Sequence, residues 1–302
     1  MVLGGGGSVG NAWEIGVIAG LFEAGLNVAE ADLTIGTSAG STVAAQIASG
    51  IPLTDLLADI LAAGPQAQGQ RHRQSQPRNG PIGSGRGPAP IGPASNHMER
   101  TSAIIGAAED AADMRRRMGA AALEMDAASD GSVQAQWRAV AAARLPSQQW
   151  PHGHVLIPVV NADTGEPVVF DRRSGVDLVD AVAASTSNGF GVPPYGIGGN
   201  RYIDGGYRRN ENADLAAGYT RVLVLSPFGG RSRHPLAWGM HLETQIEELR
   251  ALGSRVRTIF PDGDAEPMFG ANAMDVSLRP AAARAGSDQG RALAEQLTEF
   301  WR

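Results

Sequence analysis

The stretch Ile35–Ser41, IGTSAGS, constrains the fold more than any other part of the chain. Gly36, Ser38 and Gly40 satisfy G-x-S-x-G at the point where a short apolar strand, "ADLTIG" (Ala31–Gly36), runs into the helical stretch "STVAAQIASG". A strand that turns this sharply into a helix crowds its own flanks, so the positions two before and two after the serine must lack bulk. The turn pushes the Ser38 hydroxyl out over the end of a sheet, with a helix N-terminus behind it. A Gly/Ser turn without chemistry uses the same residue types, but the strand-to-helix corner is the setting a nucleophile elbow requires.

Upstream, Val2–Leu3 reads as a short buried strand. After the glycine run, Trp13, Val17, Ile18, Leu21 and Phe22 recur on one face of a helix over Asn11–Ala24. Asn11 suits its N-cap, Glu14 its first turn and Gly25 its stop. Strand–helix–strand–helix order predicts parallel neighbours and an α/β fold: a mostly parallel central sheet with helices on both faces. The whole chain, 1–302, is expected to form one domain, interrupted by a flexible insertion at Gly64–Ser95, where Gly, Pro, Gln and Arg replace apolar residues. His97–Arg144 reads as two helices and "HVLIPVV" as a strand that turns at "DTGEP" into "VVF". Leu178–Ser185 reads as a helix, "NRYIDGGY" as a strand ending in a turn, and "RVLVLSPF" as an inner strand of the sheet. "LETQIEELRAL" and "DQGRALAEQLTEFW" read as amphipathic helices.

Gly5-Gly6-Gly7-Ser8-Val9-Gly10 also satisfies G-x-G-x-x-G, the pattern that cradles a dinucleotide pyrophosphate. That reading needs an acidic residue at the end of the next strand to hold a ribose. Asp32 begins that strand instead, and the strand ends in GTSAG. Only one helix separates the glycine run from Ser38, so both loops emerge at the same end of the sheet. The N–H groups of Gly5, Gly6 and Gly7 can then converge near Ser38, where attack on an ester carbonyl creates an oxyanion.

A serine hydroxyl needs a base. His72 and His97 lie in or beside the insertion, and His152 and His154 at a strand entrance. His234 and His241 follow the last apolar strand and suit the Ser–Asp–His order of α/β-hydrolases. Asp204 in "YIDGGY" ends a short strand with an open Gly205-Gly206 turn behind it; Asp-Gly is equally the commonest hairpin signal.

Net charge is −6, which gives no global attraction to nucleic acid. All 25 basic residues are arginine. With no cysteine, disulfides and thiolate metal sites are excluded. No N-terminal segment has the pattern of a secretory leader, and no apolar run reaches the ~20 residues that span a bilayer. The expectation is a cytoplasmic protein, with peripheral contact at a membrane surface left open and neither metal nor cofactor required.

Taken in order, "GGGGSVG", "GTSAG" and "DGG" resemble the patatin-like phospholipase family. Weaker echoes are "NADTGEPVVF" and "AASTSNGFGVPPY", and the likeness extends to about Phe228. The resemblance implies a three-layer α/β/α fold and a Ser–Asp dyad without histidine. It makes Ser38 the nucleophile, Asp204 the base and Gly5, Gly6 and Gly7 the oxyanion hole, with Gly10, Gly36, Gly40, Gly205 and Gly206 supporting the motifs. It implies a lipid or acyl-ester substrate. Two departures stand out: Val9 occupies a loop position where the family often has Arg or Lys, and "ASTSNGFG" lacks the usual proline.

Overall fold

A computed structural model describes residues 1–63, 94–126, 131–263 and 265–301. Eight strands form one mixed sheet: β1 (Val2–Leu3), β2 (Leu33–Gly36), β3 (His154–Asn161), β4 (Pro167–Phe170), β5 (Tyr195–Ile197), β6 (Asn200–Asp204), β7 (Arg221–Leu225) and β8 (Arg255–Ile259). The spatial order is β5-β6-β3-β2-β1-β7-β8, with β4 also on β3. Strands β3, β2, β1, β7 and β8 run parallel, and β4, β6 and β5 join antiparallel.

The helices among the described residues are α1 (Gly7–Glu23), α2 (Ala39–Ile47), α3 (Leu53–Ala62), α4 (Ala94–Ala107), α5 (Ala111–Asp126), α6 (Ser132–Arg144), α7 (Leu178–Ser185), α8 (Leu242–Ala251) and α9 (Arg279–Trp301). They cover both faces, giving the α/β/α layering expected. Strand alternation explains why. Val2, Val222 and Val224 join Leu242 and Leu249 of α8 in one apolar cluster. Their neighbours Leu3, Leu223 and Leu225 pack on the other face with Val9 and Ile18 of α1 and Leu297 of α9. Strands buried on both sides need no polar face, hence the continuous run RVLVL.

Several expectations are corrected. Helix α1 begins at Gly7, not at Asn11; Asn11 lies inside it and is buried. Glu14 is therefore in an interior turn, fully buried, and no side chain caps the helix. His97–Arg144 holds parts of three helices, not two. β8, at the sheet edge, had no counterpart in the sequence reading. The insertion expected over Gly64–Ser95 lies outside the described residues as far as position 93, and α4 begins at Ala94.

Helices α1 and α9 cross at a four-glycine contact. A Cβ on Gly16 or Gly20 would sit 2.2 or 2.1 Å from the carbonyl oxygens of Ala283 and Ser287. A Cβ on Gly286 or Gly290 would sit 2.3 Å from those of Trp13 and Val17. Glycines four apart on both helices let the backbones touch, so α9 is held tightly against the helix that begins in the glycine run.

Candidate active site

The G-x-S-x-G corner joins β2 to α2. Ser38 sits at φ 52°, ψ −118°, between β2 and α2, in the left-handed region that a non-glycine residue occupies only when its surroundings impose it. A Cβ on Gly36 would lie 2.4 Å from the Gly40 oxygen, and one on Gly40 would lie 2.3 Å from the Leu3 oxygen. Both motif glycines are therefore sterically required. Backbone groups hold the corner: Ser38 N–H donates to Ser185 Oγ (3.0 Å), which donates to Pro158 O (2.9 Å), and Ser41 Oγ donates to Ser38 O (2.6 Å).

Asp204 ends β6, where it pairs with Val159 of β3. Its N–H donates to Ser187 O (2.8 Å), and its Oδ1 accepts the N–H of Gly206 (2.7 Å). The chain then enters a short 3-10 turn, Gly205–Tyr207, rather than a hairpin. A Cβ on Gly205 would meet Pro158 O at 2.1 Å, so the strand end can dock against β3 only with glycine there. Burial raises the Asp204 carboxyl to about 6; the adjacent Ser38 hydroxyl, and then the Gly206 N–H, draw it back by stabilising the anion. The Ser38 hydroxyl and the Asp204 carboxyl thus face each other.

The glycine run lies against this pair. A Cβ on Gly5 would be 3.5 Å from the Ser38 Cβ and 2.7 Å from Asn210 Oδ1. Gly6 is pressed against Pro227, and Gly7, at φ +64°, against the Ala273 carbonyl. Gly5 departs from the expectation: its N–H donates to Asn210 O (3.0 Å) instead of facing an empty space. No acceptor among the described residues takes the N–H of Gly6 or Gly7, which open the 17-residue α1. They are the unpaired donors any helix start leaves, at the positive end of its dipole. Gly10, in the first turns of α1, lets Pro227 approach.

The segment Asn210–Asn212, unremarked in the sequence, ties these loops together. Asn212, at φ 56°, donates from Nδ2 to Thr37 Oγ1 in the elbow (2.9 Å) and to Gly205 O in the aspartate turn (3.2 Å). The buried Glu211 accepts from Ser226 Oγ (2.7 Å) and Asn210 Nδ2 (2.9 Å). Glu14 lies nearby, and burial holds its carboxyl far above the ordinary range, with Glu211 adding to the shift.

His97 and His234 line the same cavity as Ser38, but the described histidines have other partners. His234 Nδ1 pairs with Ser232 Oγ (2.7 Å), His241 Nε2 meets His234 O (2.7 Å), and His97 meets Phe190 edge to face. Burial, then Arg233 and His241, pushes His234 down to about 4. None of these rings contacts Ser38; the titratable side chain at its hydroxyl is Asp204.

One cavity of about 1720 Å³ contains Ser38, Asp204 and the glycine loop, and apolar groups such as Ile15, Leu56 and Ile60 line it. Phe190 and Trp137 reach it, whereas Tyr195 and Tyr202 are buried in the core. The volume exceeds that of most small-molecule pockets and admits a long apolar chain. No described helix is long and apolar enough to cross a membrane, and no described group of His, Asp or Glu is placed to hold a metal ion.

A family model described as patatin-like phospholipase matches residues 1–217, which include the glycine loop, the elbow and the aspartate turn. No curated protein matches the chain.

Proposed function

The chain belongs to the patatin-like phospholipase family, and on that premise we propose that it is a serine acyl hydrolase of the lipase or phospholipase A type, cleaving fatty-acyl esters with Ser38 as nucleophile and Asp204 as base. The observation that carries the reading is the Ser38 hydroxyl at the Asp204 carboxylate, in a cavity with two free helix-start amides.

Asp204 accepts the Ser38 proton as Oγ attacks the ester carbonyl. The oxyanion is received by the N–H groups of Gly6 and Gly7, each such donor being commonly worth about 3–4 kcal/mol in the transition state. Gly5 contributes space, since a Cβ there would strike Asn210 Oδ1 at 2.7 Å. Collapse of the tetrahedral intermediate breaks the C–O bond, and the proton on Asp204 passes to the departing alkoxide. Water, deprotonated by Asp204, then releases the fatty acid and restores Ser38. A carboxylate serves here because a partly desolvated aspartate is a stronger base than one in water.

A fluorophosphonate tests the nucleophile without assuming any lipid. Ser38 Oγ should displace fluoride and leave one phosphonyl adduct per chain, mapped to the peptide that contains Ser38. An adduct on another serine would refute the assignment of Ser38, and an unmodified chain would leave a lipid-binding protein of the same fold.

A further inference from the structure

We infer that Arg144 and Arg279 form a phosphate-binding subsite in the wall of the cavity, receiving a phosphate carried by the substrate's alcohol portion; the inference rests on the hydrolase reading for what the phosphate is attached to.

Arg279 opens α9 and reaches across to the first turns of α1. Its Nη1 donates to Ser8 O (2.7 Å) and Ser8 Oγ (3.3 Å), and its Nη2 to Asn11 Oδ1 (3.0 Å). The guanidinium is thereby fixed one residue beyond Gly7, at the positive end of a helix dipole that repels it. Arg144 ends α6 and lies over the Trp137 ring at 5.2 Å. Its ring contact with Trp137 is the one interaction its guanidinium shows among the described residues, which leaves its planar set of donors open. Both arginines line the cavity that contains Ser38. A chain of hydrogen bonds joins them: Asn11, whose Oδ1 accepts from Arg279, donates from Nδ2 to Gln46 Oε1 (3.0 Å), and Gln46 Nε2 donates to Arg144 O (3.0 Å); burial, and then Arg144, push Arg279 down to about 10.

Two cations thus lie by the start of one helix, and neither is paired with a carboxylate among the described residues. Acidic residues are not scarce, and other arginines find them: Arg138 with Asp180, Arg208 and Arg209 with Asp214, Arg231 with Glu266. Arg144 is exposed and Arg279 half-buried, so an anion entering the cavity can reach both forks. Arginine's flat fork suits the paired oxygens of a phosphate better than a point charge does, and the ring stack and the α1 contacts hold both forks in place beforehand. In a fatty-acyl ester the acyl chain carries no phosphate, so a phosphate held by these two forks is one joined to the alcohol portion.

Two monomeric esters separate the possibilities: dihexanoyl phosphatidylglycerol and dihexanoylglycerol, both below their aggregation limits. The ratio of kcat/KM for the first over the second should fall about tenfold or more in Arg144→Gln, through KM, as expected for a lost charged hydrogen bond. Arg144→Lys should recover part of it. An unchanged ratio in both variants overturns the subsite. Binding is read separately, by the thermal shift that glycerol 3-phosphate and inorganic phosphate induce. Glycerol 3-phosphate should stabilise the wild type and lose that effect in Arg144→Gln, even if neither ester is cleaved, in which case the hydrolase reading alone fails. Equal stabilisation by inorganic phosphate, with an unchanged ester ratio, would mean a free-phosphate site and overturn the headgroup assignment.

Discussion

Replacing Ser38 with alanine should lower kcat for a p-nitrophenyl ester by more than about 10³-fold, because removal of a covalent nucleophile leaves only what binding and the oxyanion donors supply. The fold should survive. The bonds that hold the corner use the N–H and C=O of Ser38, through Ser185 and Ser41, and none of them needs its hydroxyl. Alanine also inherits the same left-handed backbone, so the imposed strain is not changed by the substitution. Thermal unfolding and circular dichroism should match the wild type while turnover disappears. Full turnover in the folded variant would rule out the nucleophile.

Asp204→Asn should cost about 10²–10⁴-fold in kcat, the range expected when a general base is removed. The amide keeps the shape of the carboxyl, and its oxygen can still accept the Gly206 N–H that Oδ1 now receives at 2.7 Å. What it cannot do is take the Ser38 proton. KM should change little, since the side chain acts at the hydroxyl rather than on the alcohol or acyl portion. The contrast that matters is with histidine. His234→Ala and His241→Ala should keep most of the activity, because the one is engaged with Ser232 and the other with the His234 carbonyl. If either of those variants is inactive and Asp204→Asn is active, a Ser–His pair is at work instead.

How much could be read beforehand depended on how local each signal was. The elbow was legible because its pattern lies within five residues and Gly36 is required by Gly40 itself, although the demand on Gly40 comes from the Leu3 carbonyl of the neighbouring strand. The aspartate turn was legible as a turn, but its difference from a hairpin was not: Gly205 is required by the Pro158 carbonyl, in a strand far away in sequence. The start of α1 was misjudged for the same reason. Asn11 has the chemistry of a cap, yet the helix begins in the glycine run, where Pro227 and Ala273 press on the backbone and only glycine fits. Asn11 is turned instead to Gln46 and Arg279. The expected donor role of Gly5 failed on the Asn210 carbonyl, about two hundred residues on, which no reading of the loop alone could supply. Asn212 bridges Thr37 and Gly205 from a polar stretch with no periodicity and no motif. Val9, where a cation was missed in the sequence, is wholly buried in the core, and the cation beside the loop comes from Arg279 in the last helix.

The pairing of Ser38 with a partly desolvated aspartate is tested most directly by the pH dependence of kcat/KM for an uncharged p-nitrophenyl ester. Asp204 must be ionised to accept a proton, and burial raises its carboxyl to about 6. Protonation below that pH removes the base, so the rate should climb as pH rises through about 6 and then level off. The same ascending limb should persist in His234→Ala. A limb centred near 4, where His234 titrates, or one lost when that histidine is removed, would contradict the pairing.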